Sequence, residues 1–218
     1  MKYWDILSSS DLFRGIKVYE LEPMLNCVGT ETRAVRKGEF ILFAGDKPTH
    51  IGVVVSGELH IHHEDFDGKR SLIASVTPSE VFAEELCCAG VPESPITVMA
   101  KVNSAVMLMD FSRILYTCSI ACPFHIKIIV NMLRIVASKS LQLQNRMEIV
   151  SIKSVRGKVL RYLESLIPEQ GYDIVTPFNR EELANFLCVE RSALSHELAR
   201  MKKDGLIEYR KNHFQLNK

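Results

Sequence analysis

Arg191, Ser192, Ser195, His196 and Arg200 lie close together near the C-terminus, interleaved with Leu194, Leu198 and Met201. In a helix, the apolar steps of 4 and 3 gather the leucines and methionine on one face and leave the five polar residues on the other. Those types suit a DNA major groove. Arg binds guanine bidentately, and Ser or His reaches base edges or phosphates. The six cysteines offer a second chemistry: Cys27, Cys87, Cys88, Cys118, Cys122 and Cys188. Their spacing matches no standard iron–sulfur pattern. Cys118 and Cys122 stand one helical turn apart and could pair or hold a metal, although small buried hydrophobes is the commoner role. His60 and His62 alternate onto one strand face while His63 points away. They are candidate haem ligands, with a solvated polar face as the ordinary alternative. There is no P-loop, metal-hydrolase spacing or nucleophile elbow. No catalytic residue and no metal ligand is therefore assigned, and an enzyme is not expected.

The elements that must position the polar face are legible around it. Asn179 followed by Glu182 predicts a capping box at the start of one helix, with Leu183, Ala184 and Leu187 behind it. Cys188-Val189-Glu190 breaks the chain before a second helix from Arg191 to about Lys203, and Gly205 suits its C-terminal end. Two short helices around a tight turn make a helix-turn-helix. Residues 206–209 and 213–216 then predict a strand pair, a wing whose tip is Arg210-Lys211-Asn212. Arg180, opening the first helix, and Lys211, at the wing tip, complete the set expected to touch DNA.

Upstream, Ile126, Ile129, Leu133, Val136, Ser140, Leu143 and Met147 recur at steps of 3 and 4, and no Gly or Pro follows Pro123 before Met147. A heptad seam on so long a helix favours a two-fold homodimer. A second helix is expected from Ser151 to Ile167, ended by Pro168 and Gly171. The first hundred residues read differently. Short runs such as Phe40-Ile41-Leu42-Phe43 and Ile51-Gly52-Val53-Val54-Val55 alternate with glycines at 38, 45, 52, 57 and 68, which suits a β-sandwich or barrel.

The chain thus divides into a β-rich effector-sensing domain (1–112), a helical linker with the long dimerisation helix (113–150) and a winged helix-turn-helix (151–218). Hydrophobic residues at 47% and charged residues at 24% are globular proportions. No run approaches the ~20 apolar residues of a membrane span. Met1 to Asp5 lacks a signal-peptide core. A cytoplasmic location with reduced thiols and no membrane partner is expected. The net charge of +1 conceals a division. Residues 151–218 hold 12 Lys+Arg against 9 Asp+Glu, whereas residues 1–150 hold 15 against 17.

This order of parts resembles the cyclic-AMP receptor protein/FNR (Crp/Fnr) family of bacterial transcription regulators, over nearly the whole chain. The resemblance is carried by Arg36-Lys37-Gly38-Glu39, Val55-Ser56-Gly57-Glu58-Leu59, Val81-Phe82-Ala83-Glu84-Glu85-Leu86 and, most specifically, Arg180 through Ile207. It implies an α+β fold: a cyclic-nucleotide-binding-like jelly roll, a long dimerisation helix and a winged helix-turn-helix. The partners it implies are a two-fold operator of double-stranded DNA, RNA polymerase during activation and a small-molecule effector. Base reading carries over to Arg191, Ser192 and His196, with Ser195 beside them. The family pattern has Arg where His196 stands and often Gly where Cys188 stands. A histidine contact titrates near neutrality.

In nucleotide binders of this family a Phe-Gly-Glu-Leu…Arg-Ser-Ala cassette cradles the cyclic phosphate. Here Glu85 is matched to the ribose acid and Ser94 falls at the Arg position, with no Lys or Arg between Arg70 and Lys101. The base-contacting pair maps to Leu143 and Gln144 instead of Thr and Ser. An unneutralised buried phosphate is costly, so cyclic AMP is not expected as effector. A small uncharged or apolar ligand is, near Glu85, Cys87, Cys88, Ser94, Thr97, Leu143 and Gln144. Its binding would rotate or stiffen the dimer helix about a hinge near Val150 to Lys153. No cofactor is fixed by the residues. Redox, metal or haem sensing on the same scaffold is the alternative.

Overall fold

The computed structural model describes residues 3–64, 70–116 and 123–217. The chain forms two compact units, 1–138 and 139–218. The first opens with α1 (Tyr3–Ser9), a 3-10 turn (Asp11–Phe13) and α2 (Val18–Cys27). Strands β1 (Thr30–Val35), β2 (Phe40–Leu42), β3 (His50–Ser56), β4 (Leu59–Glu64), β5 (Arg70–Val76) and β6 (Val81–Phe82) follow, then α3 (Glu84–Ala89), β7 (Ile96–Ala100), β8 (Ser104–Asp110) and α4 (Phe111–Leu115). Helix α5 (Pro123–Ser151) contributes residues to each unit. The second unit continues with α6 (Val155–Gln170), β9 (Asp173–Val175), α7 (Arg180–Phe186), α8 (Arg191–Lys203), β10 (Ile207–Arg210) and β11 (His213–Leu216). The architecture is the expected one: jelly-roll sheets, a long helix and a winged helix-turn-helix.

The jelly roll consists of two four-stranded antiparallel sheets, ordered β1-β8-β3-β6 and β2-β7-β4-β5. Val54, Leu59, Val76, Phe82, Val98 and Val106 fill the space between them. Alternate residues of β3 and β8 point the other way: Ile51, Val53, Met107 and Met109 pack with Leu12, Phe13, Leu21 and Met24 from the N-terminal segments and with Ile128 and Met132 of α5. The central strands β3 and β8 are therefore buried on both faces, which is why they read as unbroken apolar runs, while edge strand β1 stays largely exposed. The N-terminal helices and α3 were not foreseen in the sequence. They cover this second face and the end of β6.

Gly52 departs from its expected place in a turn. It lies in mid-strand in β3, where a Cβ would sit 2.0 Å from the Phe82 ring. Gly68 falls outside the described residues. In the second unit Val159, Leu163, Leu183, Leu187, Leu194, Leu198, Ile207 and Phe214 form one core, joined by Ile149 from the end of α5. Three expectations are corrected. Ser151 ends α5, and the next helix starts at Val155 behind the Ser154 cap. Helix α6 runs through Pro168 to Gln170 before Gly171 ends it. The wing is three-stranded, ordered β10-β11-β9, with β9 unforeseen.

Gly52→Ala is expected to cost about 1–3 kcal/mol through overpacking, with Phe82→Leu restoring part of the loss. Denaturant midpoints of the two single variants and the double variant check this.

Candidate functional site

The reader is built from its caps inward. Asn179 Oδ1 accepts from the Glu181 and Glu182 amides at 2.9 and 3.0 Å, and Glu182 Oε2 accepts from the Asn179 amide at 2.7 Å. The predicted capping box is present. Cys188 adopts φ +51°, the left-handed turn conformation that glycine takes most readily. The turn is held from below by Lys158 of α6, a buried amine donating to Leu187 O at 3.0 Å and Cys188 O at 3.4 Å. A cation suits this place because it meets the carbonyl end of α7. Arg156 reaches Glu197 at 2.6 Å and Asp204 at 2.7 Å, clamping α8. Sequence spacing points to neither residue, since their partners lie roughly thirty to fifty positions away.

Arg191, Ser192, Ser195 and His196 are exposed on α8, and their side chains make no hydrogen bond or ion pair among the described residues. Arg200 is exposed beside Glu197 at 3.7 Å. Lys211 is exposed at the wing tip with φ +56°. Arg180 differs. Its guanidinium stacks over Tyr209 and Phe214 at 5.2 and 5.7 Å, and Nη2 donates to Lys211 O at 3.2 Å. Half-buried there, Arg180 braces the wing instead of facing outward.

Among the expected effector residues of the first unit, three gather against one loop. Cys87 is buried and donates to Pro48 O at 3.7 Å. Ser94 N donates to Asp46 O at 2.7 Å, and Gly45 N to Ser94 O at 2.8 Å. Thr97 Oγ1 accepts from the Ala44 amide at 3.1 Å. These three hold the loop 43–48. Glu85 and Cys88 are exposed on α3. Ala83 adopts φ +63° directly after Phe82, so the structure puts it at the cassette's glycine position. The acid that follows it is the buried Glu84. Leu143 and Gln144 belong to the second unit, on an open groove of α5 with Met147 and Ser151. A cavity of about 310 Å³ does exist in the first unit. It is lined by Ile41, Leu42, Phe82, Leu108 and the loop 46–50, a segment the sequence reading passed over.

The alternative chemistries find little support. Burial pushes the Cys87 thiol up to about 12, with Cys88 and Glu84 adding to it, and burial likewise raises Cys88. Protonated thiols are poor nucleophiles and metal ligands. His60 and His62 do share a strand face, with ring centroids 5.7 Å apart. Desolvation, then His60 and Arg70, hold His62 below the ordinary histidine value. Neither ring nitrogen of His62 reaches solvent or a hydrogen-bond partner among the described residues. Among those residues no group of three or more His, Cys, Asp and Glu is arranged to hold a metal. Cys118 and Cys122 lie outside them.

On α5, Ile128 and Met132 are buried in the first core and Ile149 in the second, while Ile126, Leu133, Leu143 and Met147 are 60–65% exposed. Ser140 is exposed, Val136 half-buried, and Ile129 packs partly against the first core. Among the described residues no helix is long and apolar enough to cross a membrane.

Residues 32–119 match the sequence model of the cyclic nucleotide-binding domain, and residues 157–218 that of the Crp-like helix-turn-helix domain. The chain belongs to the Crp/Fnr family of DNA-binding transcription regulators. Three solved Crp/Fnr-type structures illustrate the shared fold. The catabolite activator protein of Thermus thermophilus is 18% identical with TM-score 0.57, covering 95% of this chain and 94% of its own. The c-di-GMP-responsive regulator CLP of Xanthomonas campestris is 17% identical with TM-score 0.58, covering 91% and 98%. DNR of Pseudomonas aeruginosa is 18% identical with TM-score 0.50, covering 98% and 93%. No curated protein sequence matches this chain. As a Crp/Fnr member it carries an effector-binding domain ahead of its DNA reader, and the cassette departures described above mark where it differs.

Alkylation of the native protein at pH 8 should modify the exposed Cys188 and leave Cys87 intact. Peptide mass mapping checks this, and equal rates at the two positions would refute the inert assignment of Cys87.

Proposed function

We propose that the protein is a homodimeric regulator that reads a two-fold operator through Arg191, Ser192, Ser195, His196, Arg200 and Lys211, under control of a small effector other than cyclic AMP. The observation that carries the DNA reading is the exposed polar face of α8, four of whose side chains have no partner of their own. Such groups are available to base edges and phosphates. Arg156 and Lys158 hold α8 and its preceding turn, so the face is presented on a rigid element. The apolar seam Ile126, Leu133, Leu143 and Met147 supports the homodimer, because exposed large hydrophobics at heptad spacing call for a partner helix. The break between Ser151 and Val155 supports the hinge. RNA polymerase remains the partner that activation by this family requires.

Rejection of cyclic AMP rests on the cassette. Ser94, at the position of the phosphate-binding arginine, is 3% exposed, and its hydroxyl is engaged with Ile96 at 2.7 Å. It has neither the charge nor the freedom to meet a cyclic phosphate.

Operator duplexes recovered by selection from a random pool provide the test. Arg191→Ala should weaken specific binding by about 1–3 kcal/mol and relax preference at one base position. Footprinting that shows an unchanged sequence preference would remove Arg191 from the reading face. Saturating cyclic AMP should leave wild-type affinity unchanged. Leu133→Glu places a charge on a residue that is 63% exposed in the single chain. It should give folded monomers by sedimentation, and an unchanged dimer mass would count against the seam.

A further inference from the structure

The cavity of the first unit has a lining of its own chemistry. Half-buried Ile41, Leu42 and Leu108 give it one apolar side, backed by the buried Phe82, and Asp46, Lys47, Thr49 and His50 form its exposed polar side. All of these polar groups but Lys47 are already engaged. Asp46 Oδ2 accepts from the Phe43 amide at 3.0 Å, and His50 Nδ1 lies 2.9 Å from Thr49 Oγ1. Lys47 has no hydrogen bond or ion pair among the described residues. Among those residues it is the one Lys or Arg that lines the cavity. Its position is set by the loop that Cys87, Ser94 and Thr97 hold. Ser94 N donates to Asp46 O, so Lys47 is the next residue along from the backbone contact made at the emptied arginine position. Glu84 follows the lining residue Ala83 but does not itself line the cavity.

We propose that this cavity is the ligand site of the sensor unit and that it takes a small amphiphilic monoanion, an apolar body ending in a carboxylate, with Lys47 as its counter-ion. This rests on the reading of the barrel as the effector domain. The volume of about 310 Å³ lies at the small end of ligand pockets, which run from about 300 to 1,000 Å³. Apolar walls fix the body of the ligand by area removed from water. A single ammonium meets one carboxylate, and it has no fork for a bidentate phosphate. The earlier expectation of an uncharged ligand gives way because Lys47 lies outside the cation-free stretch on which it was based.

Octanoate, 1-octanol and cyclic AMP are the probes, titrated calorimetrically into the full-length protein. Octanoate should bind saturably, one per chain, roughly 5–10-fold tighter than octanol. Lys47→Gln should erase that difference while leaving octanol binding in place. Leu42→Trp, which fills the cavity from its wall, should remove both. If Leu42→Trp does not fold, by circular dichroism, Leu108→Phe takes its place. Absence of saturable octanoate binding, an octanoate affinity indifferent to Lys47→Gln, or displacement of octanoate by cyclic AMP would each overturn the proposal. A separate titration of the selected operator reads the effector role. Octanoate binding that depends on Lys47 but leaves DNA affinity unchanged upholds the site and removes the barrel's control of DNA.

Discussion

The sensor unit depends on two central strands, β3 and β8, that have no wet face. In β8, Val106 and Leu108 point into the jelly roll while Met107 and Met109 point under the helices. A slip of one residue would exchange the two sets and put each into the wrong core. The strand therefore pairs with β1 and β3 in one register only, and every element around it answers to that choice. The N-terminal helices are obligatory covers for the second face. Phe82 crosses β3 at the one residue without a side chain. Helix α5 enters the same core through Ile128 and Met132 and must leave its remaining apolar side outward.

A second dependence links the cassette to the loop 43–48. Cys87 Sγ, the Ser94 backbone and Thr97 Oγ1 all bond to that loop. Polar groups this well buried have to be satisfied within the protein, and the loop satisfies them.

The reader was more legible in the sequence than the sensor, and the difference is physical. Capping, turn and helix-face signals are local, so Asn179, Glu182, Cys188 and the Leu194–Leu198–Met201 stripe could be read in order. Long-range satisfaction has no local signature. Arg180 looked like an exposed cation because nothing near it in sequence shows that Tyr209 and Phe214 will slide beneath its guanidinium. Lys158 and Arg156 carry no local signal for the same reason. Pro168 reads as a helix end, yet α6 continues past it for one more half-turn. In the jelly roll the strands were visible but their partners were not. Gly52 reads as a turn until Phe82 is seen above it, and the loop 46–50 carries no motif at all.

The cations of the reader bear on how it finds its site. The excess of positive charge over residues 151–218 is small to begin with, and much of it is committed internally. Arg156 is matched by Glu197 and Asp204, Arg161 by Glu148 and Lys202 by Glu208, while Lys158 and Arg180 face inward. Among the described residues Lys153, Arg191, Lys203, Arg210 and Lys211 are left to displace counterions from the phosphate backbone, with Arg200 only loosely held beside Glu197. Affinity for arbitrary DNA falls with that number, and so does its salt dependence. Internal pairing therefore trims the sequence-independent pull of the reader while leaving the polar face of α8 untouched.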